Sequence, residues 1–228
     1  MKLVMQDFPK FERDMQDICK MAIHMGADTA MLIESSKVAT DSRVTLKCRI
    51  PPCVCYGVNL MCPPYSPTAE ETKKILSWYK YAVIFEVSMK LPKKMWERVQ
   101  ADDTSLQQIY QDPEFLAEEE ETEHSLWMKQ HNIINSLERE AHNRGYFFAT
   151  GFGASDCELC STTAPSGSTT KVTYACPYKD GVCVKPYEAR PSMEASGIDV
   201  FSTWDNIGRP LKMASLEKFS WTGLVLIV

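Results

Sequence analysis

The chain is short of several things, and each shortage removes a class of function. It has no long apolar run: even the stretch LVLIV at residues 224–228 is far below the ~20 residues of a membrane-spanning helix. It has no excess of positive charge. With 25 Lys and Arg against 30 Asp and Glu the net charge is −5, which argues against a general binder of nucleic acid or anionic membranes. It has only 4 histidines, few for a His-rich metal site. The opening residues, MKLVMQDFPKFERDM, lack the apolar stretch of a secretory signal, so the chain reads as cytoplasmic. There is no Gly-rich dinucleotide fingerprint, no P-loop and no G-x-S-x-G elbow, so neither a nucleotide or flavin cofactor nor an elbow-type serine nucleophile has support. No candidate general base stands out, and the sequence leaves enzyme activity undecided.

Cysteine, by contrast, is plentiful. Eight of the nine fall into two groups: Cys48, Cys53, Cys55 and Cys62, and then Cys157, Cys160, Cys176 and Cys183. A reducing compartment disfavours disulfides, and four thiols per group is the ligand count of a tetrahedral zinc or of an iron–sulfur cluster. Zinc sites commonly present two short C-x2–4-C knuckles. The first group has C-x-C and C-x6-C spacings instead, and the second has one good knuckle, Cys157 and Cys160. Clusters accept ligands from several loops and often carry a proline directly after a ligand cysteine. Cys62-Pro63 and Cys176-Pro177 show that feature. These spacings favour iron–sulfur over zinc and zinc over a thiol-exchange role. Cys53 and Cys55 are so close that both need not be ligands. The ninth cysteine, Cys19, reads as a small buried hydrophobe on a helix face.

Apolar residues make up 44% and charged residues 24% of the chain, enough to bury a core without a metal. Helical periodicity marks residues 7–25, stopped by Gly26. Thr68 resembles an N-cap for a helix to about Tyr79, and further helices are expected over 92–101 and 113–144. On the last of these, His124, His131 and His142 lie opposite Leu126, Ile133, Ile134, Leu137 and Ala141, which places the histidines on the solvent side rather than in a ligand row. Strands are expected at 29–34, 43–47, 81–87, 146–150, 198–201 and 221–228. The proline-rich segment 48–67 reads as irregular loop, with Gly57 at a positive φ. Asp156, Glu194 and Asp199 are the candidate acids or bases beside a catalytic metal, and Arg190 either holds an anion or pairs with Glu194 one turn on.

Two stretches carry a family resemblance: KCRIPPCVCYGVNLMCPPYSP at 47–67 and CPYKDGVCVKPYEARPSMEASGIDV at 176–200. Together they resemble the predicted metal-binding protein family DUF2284, found mainly in anaerobes. The resemblance implies metal ligands at Cys48, Cys53, Cys62, Cys157, Cys160, Cys176 and Cys183, with Cys55 outside the family pattern. That pattern also keeps the second set compact, whereas here fifteen residues separate Cys160 from Cys176.

The expectation is therefore a single α+β domain over 1–228. A mixed β-sheet is flanked by helices, with cysteine loops at 48–67 and 157–183 and a helical insertion over about 92–144. The expected cofactors are one or two iron–sulfur clusters of the four-iron type, with zinc, structural or catalytic, as the alternative. The expected role is electron transfer with a redox protein partner, in the cytoplasm of an anaerobe.

Overall fold

The computed structural model describes residues 8–90, 97, 113–163, 172–173, 176, 181–211 and 218–228. Its centre is a four-stranded antiparallel sheet built from β1 (Thr29–Glu34), β3 (Tyr81–Lys90), β4 (Thr150–Phe152) and β8 (Lys218–Leu226), in the order β1-β3-β8-β4. The short strands β2 (Ala39–Thr40) and β7 (Ile198–Asp199) form one small ladder, and β5 (Thr162–Thr163) and β6 (Val172–Thr173) another. One parallel bridge, Gly153 to Ser192, ties the end of β4 to the segment before β7.

Strand side chains alternate between two faces, and here both faces are buried. Val83, Phe85 and Val87 of β3 and Val225 of β8 point to one side. There they meet Phe11, Met15, Ile18 and Ala22 of α1 (Phe8–His24) and Leu126, Ile133, Ile134, Leu137 and Ala141 of α4 (Pro113–Asn143). Ala82, Ile84, Leu224 and Leu226 point to the other side, against Leu76 of α3 (Ala69–Leu76), Met193, Ile198 and Trp204 of α5 (Val200–Asn206). A strand buried on both faces reads as a near-continuous apolar run, which is why YAVIFEV and WTGLVLIV are legible as central strands. The result is α+β, with helices on both faces of the sheet.

α3 begins as its sequence predicts. The Thr68 side chain accepts the Glu71 N–H at 3.2 Å, while the Glu71 carboxylate accepts the Thr68 N–H at 2.8 Å, a complete capping box. Gly197 ends the short 3-10 helix Glu194–Ser196 with φ +70°, and a Cβ there would stand 2.6 Å from the Ala69 Cβ. Only glycine lets this turn lie against the start of α3.

Several expectations need correction. Residues 43–47 are not a strand: they form turns running into the short helix α2 (Leu46–Arg49), because Arg43 bonds back onto the Asp41 carboxylate and Thr45 onto the Ser42 carbonyl. Local side-chain bonds of this kind compete with a ladder. The strand expected at 146–150 lies at 150–152, after turns that follow α4. Of 198–201, only Ile198 and Asp199 are strand; Asp199 caps α5 by accepting the Ser202 N–H at 3.0 Å. Of the helix expected over 92–101, only Glu97 lies among the described residues, and it is helical. No described helix is long and apolar enough to cross a membrane.

Candidate metal centre

The first cysteine group is wound by its own backbone. Cys48 sits on α2, and Cys53, Cys55 and Cys62 follow in consecutive turns. The carbonyl of every one of the four accepts a local N–H: Cys48 from Cys53, Cys53 from Tyr56, Cys55 from Val58 and Asn59, and Cys62 from Tyr65 and Ser66, all at 2.9–3.2 Å. Each cysteine thus opens a turn. Gly57 makes one reversal possible with φ +72°, a backbone state other residues resist. Ser66 fastens the exit of the loop to the body by donating to the Ala195 carbonyl at 2.7 Å.

Their side chains share one neighbourhood. The Cys55 thiol lies close to the Cys62 thiol and to the Asp156 carboxylate. Cys62 is buried and Cys53 exposed. The Cys62 thiol, then burial, then Asp156 all push the Cys55 thiol up. Burial raises Cys48, and the nearby Cys53, Glu194 and Cys55 add to it. The Cys48 and Cys55 thiols are thus held protonated by burial and by their neighbours, and a cation bound by thiolates would relieve both. The donor set therefore fits a soft metal.

The second group is assembled from separate segments. Cys157 and Cys160 follow β4, while Cys176 and Cys183 arrive from further along the chain. With Asn59, Leu60 and Lys185 among the other walls, they line a cavity of about 10 Å³. Burial pushes the Cys157 thiol up to about 12, with the other three cysteines contributing. Burial also raises Cys160, against the opposing charge of Lys185. The Lys185 ammonium donates to the Leu159 carbonyl at 2.6 Å, and its backbone N–H reaches the Cys183 sulfur at 3.4 Å. Among the described residues, no three His, Cys, Asp or Glu side chains converge at metal-ligand spacing.

One residue joins the two groups. Asn59, buried within the first loop, donates to the Cys157 carbonyl at 2.9 Å and to Asp156 at 3.4 Å, and its oxygen accepts the Met61 N–H at 3.0 Å. Asp156 and Glu158 flank Cys157 and turn to different partners: Asp156 to the first group, Glu158 to His124 of α4. Burial lifts the Glu158 carboxyl to about 6, with the His124 ring opposing it.

α4 supports the second group along a polar stripe. His124 contacts Glu158, His131 stacks on Trp127 beside the Arg190 charge, and Glu138 receives Arg190 through Nε at 2.6 Å and through a second guanidinium bond. These three positions are seven residues apart, close to one face of a helix. Gln130, beside the stripe, accepts the Ala154 N–H at 2.8 Å. Two expectations are corrected here. His131 is buried, at 4% exposure, and stacked on Trp127 with ring centres 4.4 Å apart, so it does not face solvent. Arg190 pairs with Glu138 and not with Glu194.

The remaining candidates separate. Asp199 is occupied as a helix cap. Glu194 lies close enough to Cys48 to raise it. Cys19 packs against the α1 core, where burial pushes its thiol up to about 11, in keeping with a structural role. Sequence reasoning missed Asn59, Glu158, His124 and Lys185 as supports. The one signal in the chain was an acid placed inside the C-E-L-C knuckle, where burial beside thiols demands a partner.

The fold is α+β, and its two cysteine groups are linked through Asn59. The predicted metal-binding protein family DUF2284 matches residues 31–227, and the chain belongs to that family. No curated protein and no solved structure matches it.

Proposed function

We propose that the chain is an iron–sulfur protein that carries electrons to and from a redox protein partner in the cytoplasm of an anaerobe. The observation that carries this reading is the gathering of eight thiols into two neighbouring groups of four, joined through Asn59. Cys48, Cys53, Cys62 and, within the same cluster of thiols, Cys55 would hold one four-iron centre; Cys157, Cys160, Cys176 and Cys183 would hold the other. Such centres supply one-electron transfer at a potential set by hydrogen bonds to sulfur and by solvent exposure. The chain offers both controls. The Lys185 N–H donates to the Cys183 sulfur, and exposure runs from the open Cys53 to the buried Cys62. The single α+β domain expected over 1–228 would bring both centres onto one body.

Metal and sulfide analysis of protein purified without oxygen tests this. About eight irons with equal sulfide are expected, with visible absorption that bleaches on reduction. Cys62→Ser and Cys157→Ser should each remove about half of the iron.

One observation favours a second reading. A cavity of about 10 Å³ between the thiols of the second group suits a single ion such as zinc, being roughly the room of one water. Zinc without iron or colour would establish that reading, with a structural or metal-dependent catalytic role.

A further inference from the structure

The first cysteine loop is apolar where a solvent-facing loop should be polar. Of the fourteen large apolar side chains exposed among the described residues, five fall between positions 46 and 65: Leu46, Ile50, Val54, Val58 and Tyr65. Val54 is 87% exposed and Ile50 74%. Exposed apolar residues scattered singly need no explanation, but a concentration on one loop marks an interaction surface.

Its charge is as uneven. In a chain of net charge −5, residues 42–69 contain Arg43, Lys47 and Arg49 and no Asp or Glu. Arg43 is spoken for by a bidentate contact with Asp41. Lys47 and Arg49 are exposed, and neither has an ion-pair partner among the described residues. Two carboxylates from elsewhere in the chain, Asp156 and Glu194, stand beside the thiols of Cys55 and Cys48. The loop therefore presents aliphatic side chains flanked by two free cations, with the exposed Cys53 in their midst.

We infer that this loop is the docking surface for an acidic protein partner, an electron carrier whose negative rim meets Lys47 and Arg49 while Ile50 and Val54 exclude water beside the cysteines. That the partner is an electron carrier rests on the function proposed above; the surface and the sign of its charge do not. Charge complementarity steers such encounters and sets their salt dependence more than their strength, and redox encounters use small interfaces. A second copy of the chain is a poor occupant, because a two-fold contact would set this cationic patch against itself. An anionic membrane is disfavoured too. The overall charge is negative, and two free cations fall short of the polybasic clusters of about 4–8 residues that hold proteins to lipid.

The test uses the full chain purified without oxygen, with its native metal, and an acidic flavodoxin as probe. A basic c-type cytochrome and vesicles containing phosphatidylserine serve as the contrasting probes. Calorimetry is run at 20 and 200 mM salt. The flavodoxin is expected to bind at low salt and to weaken about tenfold at high salt, while the cytochrome and the vesicles do not bind. The double variant Lys47→Glu/Arg49→Glu should lose at least about tenfold in affinity. Ile50→Ser should lose several-fold without changing the salt slope. The wild-type salt dependence stands even where a variant loses metal. Flavodoxin binding that is absent, or equal in the charge-reversed variant, overturns the inference, and so does binding to the vesicles or the cytochrome. Dithionite reduction of the visible spectrum is followed in the same samples. A centre that bleaches in a protein that ignores flavodoxin sinks the docking surface and keeps the electron-transfer reading. Salt-sensitive binding by a colourless zinc protein keeps the surface and sinks that reading.

Discussion

The two cysteine groups contain the same number of thiols and are built in opposite ways. The first is local: fifteen residues, from Cys48 to Cys62, wind into turns in which each cysteine carbonyl accepts a nearby N–H. The second is long-range. Its thiols come from separate segments, and two residues beside them, Glu158 and Arg190, are held by His124 and Glu138 of α4. A site of the first kind keeps its shape through short-range bonds and depends little on the body. A site of the second kind is only as stable as the helix that carries it.

The sharpest way to break this contrast is Arg190→Ala. The Arg190–Glu138 pair is largely buried, with side-chain exposures of 17% and 10%. Removing one partner of a buried pair costs about 3–5 kcal/mol. Chemical denaturation should show that loss, and metal analysis should show the second group emptied while the first keeps its metal. Loss of both metals in equal measure would mean that the groups are one cooperative unit.

Acid should act through the same stripe. Burial first, and the Arg190 charge second, hold the His131 ring down at about 4, below its ordinary 6.5. A base with a lowered folded pKa contributes stability that is complete above pH 6.5 and is lost as pH falls toward 4, because the unfolded chain takes up the proton first. The loss attributable to His131 should reach about 2 kcal/mol by pH 5 and about 3 kcal/mol by pH 4. Urea unfolding of wild type and His131→Phe across that range measures it. Parallel curves for the two proteins would remove His131 from the account.

A smaller effect isolates the body from both groups. Asp14 of α1 is buried, and burial works against its charge, yet bonds from Lys10, Tyr146 and Arg144 together hold its carboxyl below the usual value. Asp14→Asn should cost about 1–2 kcal/mol in thermal unfolding and leave the metal content of both groups unchanged. The smallest effect concerns the exit of the first loop. Thr68→Ala removes the capping box of α3 and should cost about 1 kcal/mol, again without loss of metal. Metal loss in that variant would show that the first loop leans on α3 more than its internal bonds suggest.

The legible parts of the sequence were those decided by one physical term. YAVIFEV and WTGLVLIV are apolar at nearly every position and had to be buried on both faces, and Thr68 with Glu71 spells a helix start. The two runs of cysteines were visible in the sequence, and the structure puts Cys48 near Cys53 and Cys55, and Cys157 near Cys160, Cys176 and Cys183. What was not legible depended on partners distant in the chain. α4 has one apolar face, so His131 looked solvent-exposed; its other side packs on polar segments some 50 residues onward, and no local pattern announces that. RVTLK has strand composition, yet Asp41 sits two residues before Arg43 and bends the chain into turns. Asn59 is unremarkable as a sequence letter and acquires meaning only when Cys157 arrives beside it.

The place of β8 in the sheet also sets an order of events in the cell. This strand lies between β3 and β4, yet it follows both in the chain, from Lys218 to Leu226. While the ribosome is still adding those residues, β3 and β4 have nothing to pair through. Pairing of such distant segments is slow, because the connecting chain must be closed before the contact repays it. The cysteines are translated well before the body that unites their two groups can close. During that interval the second group, whose segments meet only on the closed body, has no finished scaffold, whereas the first, wound by its own backbone, already has its turns.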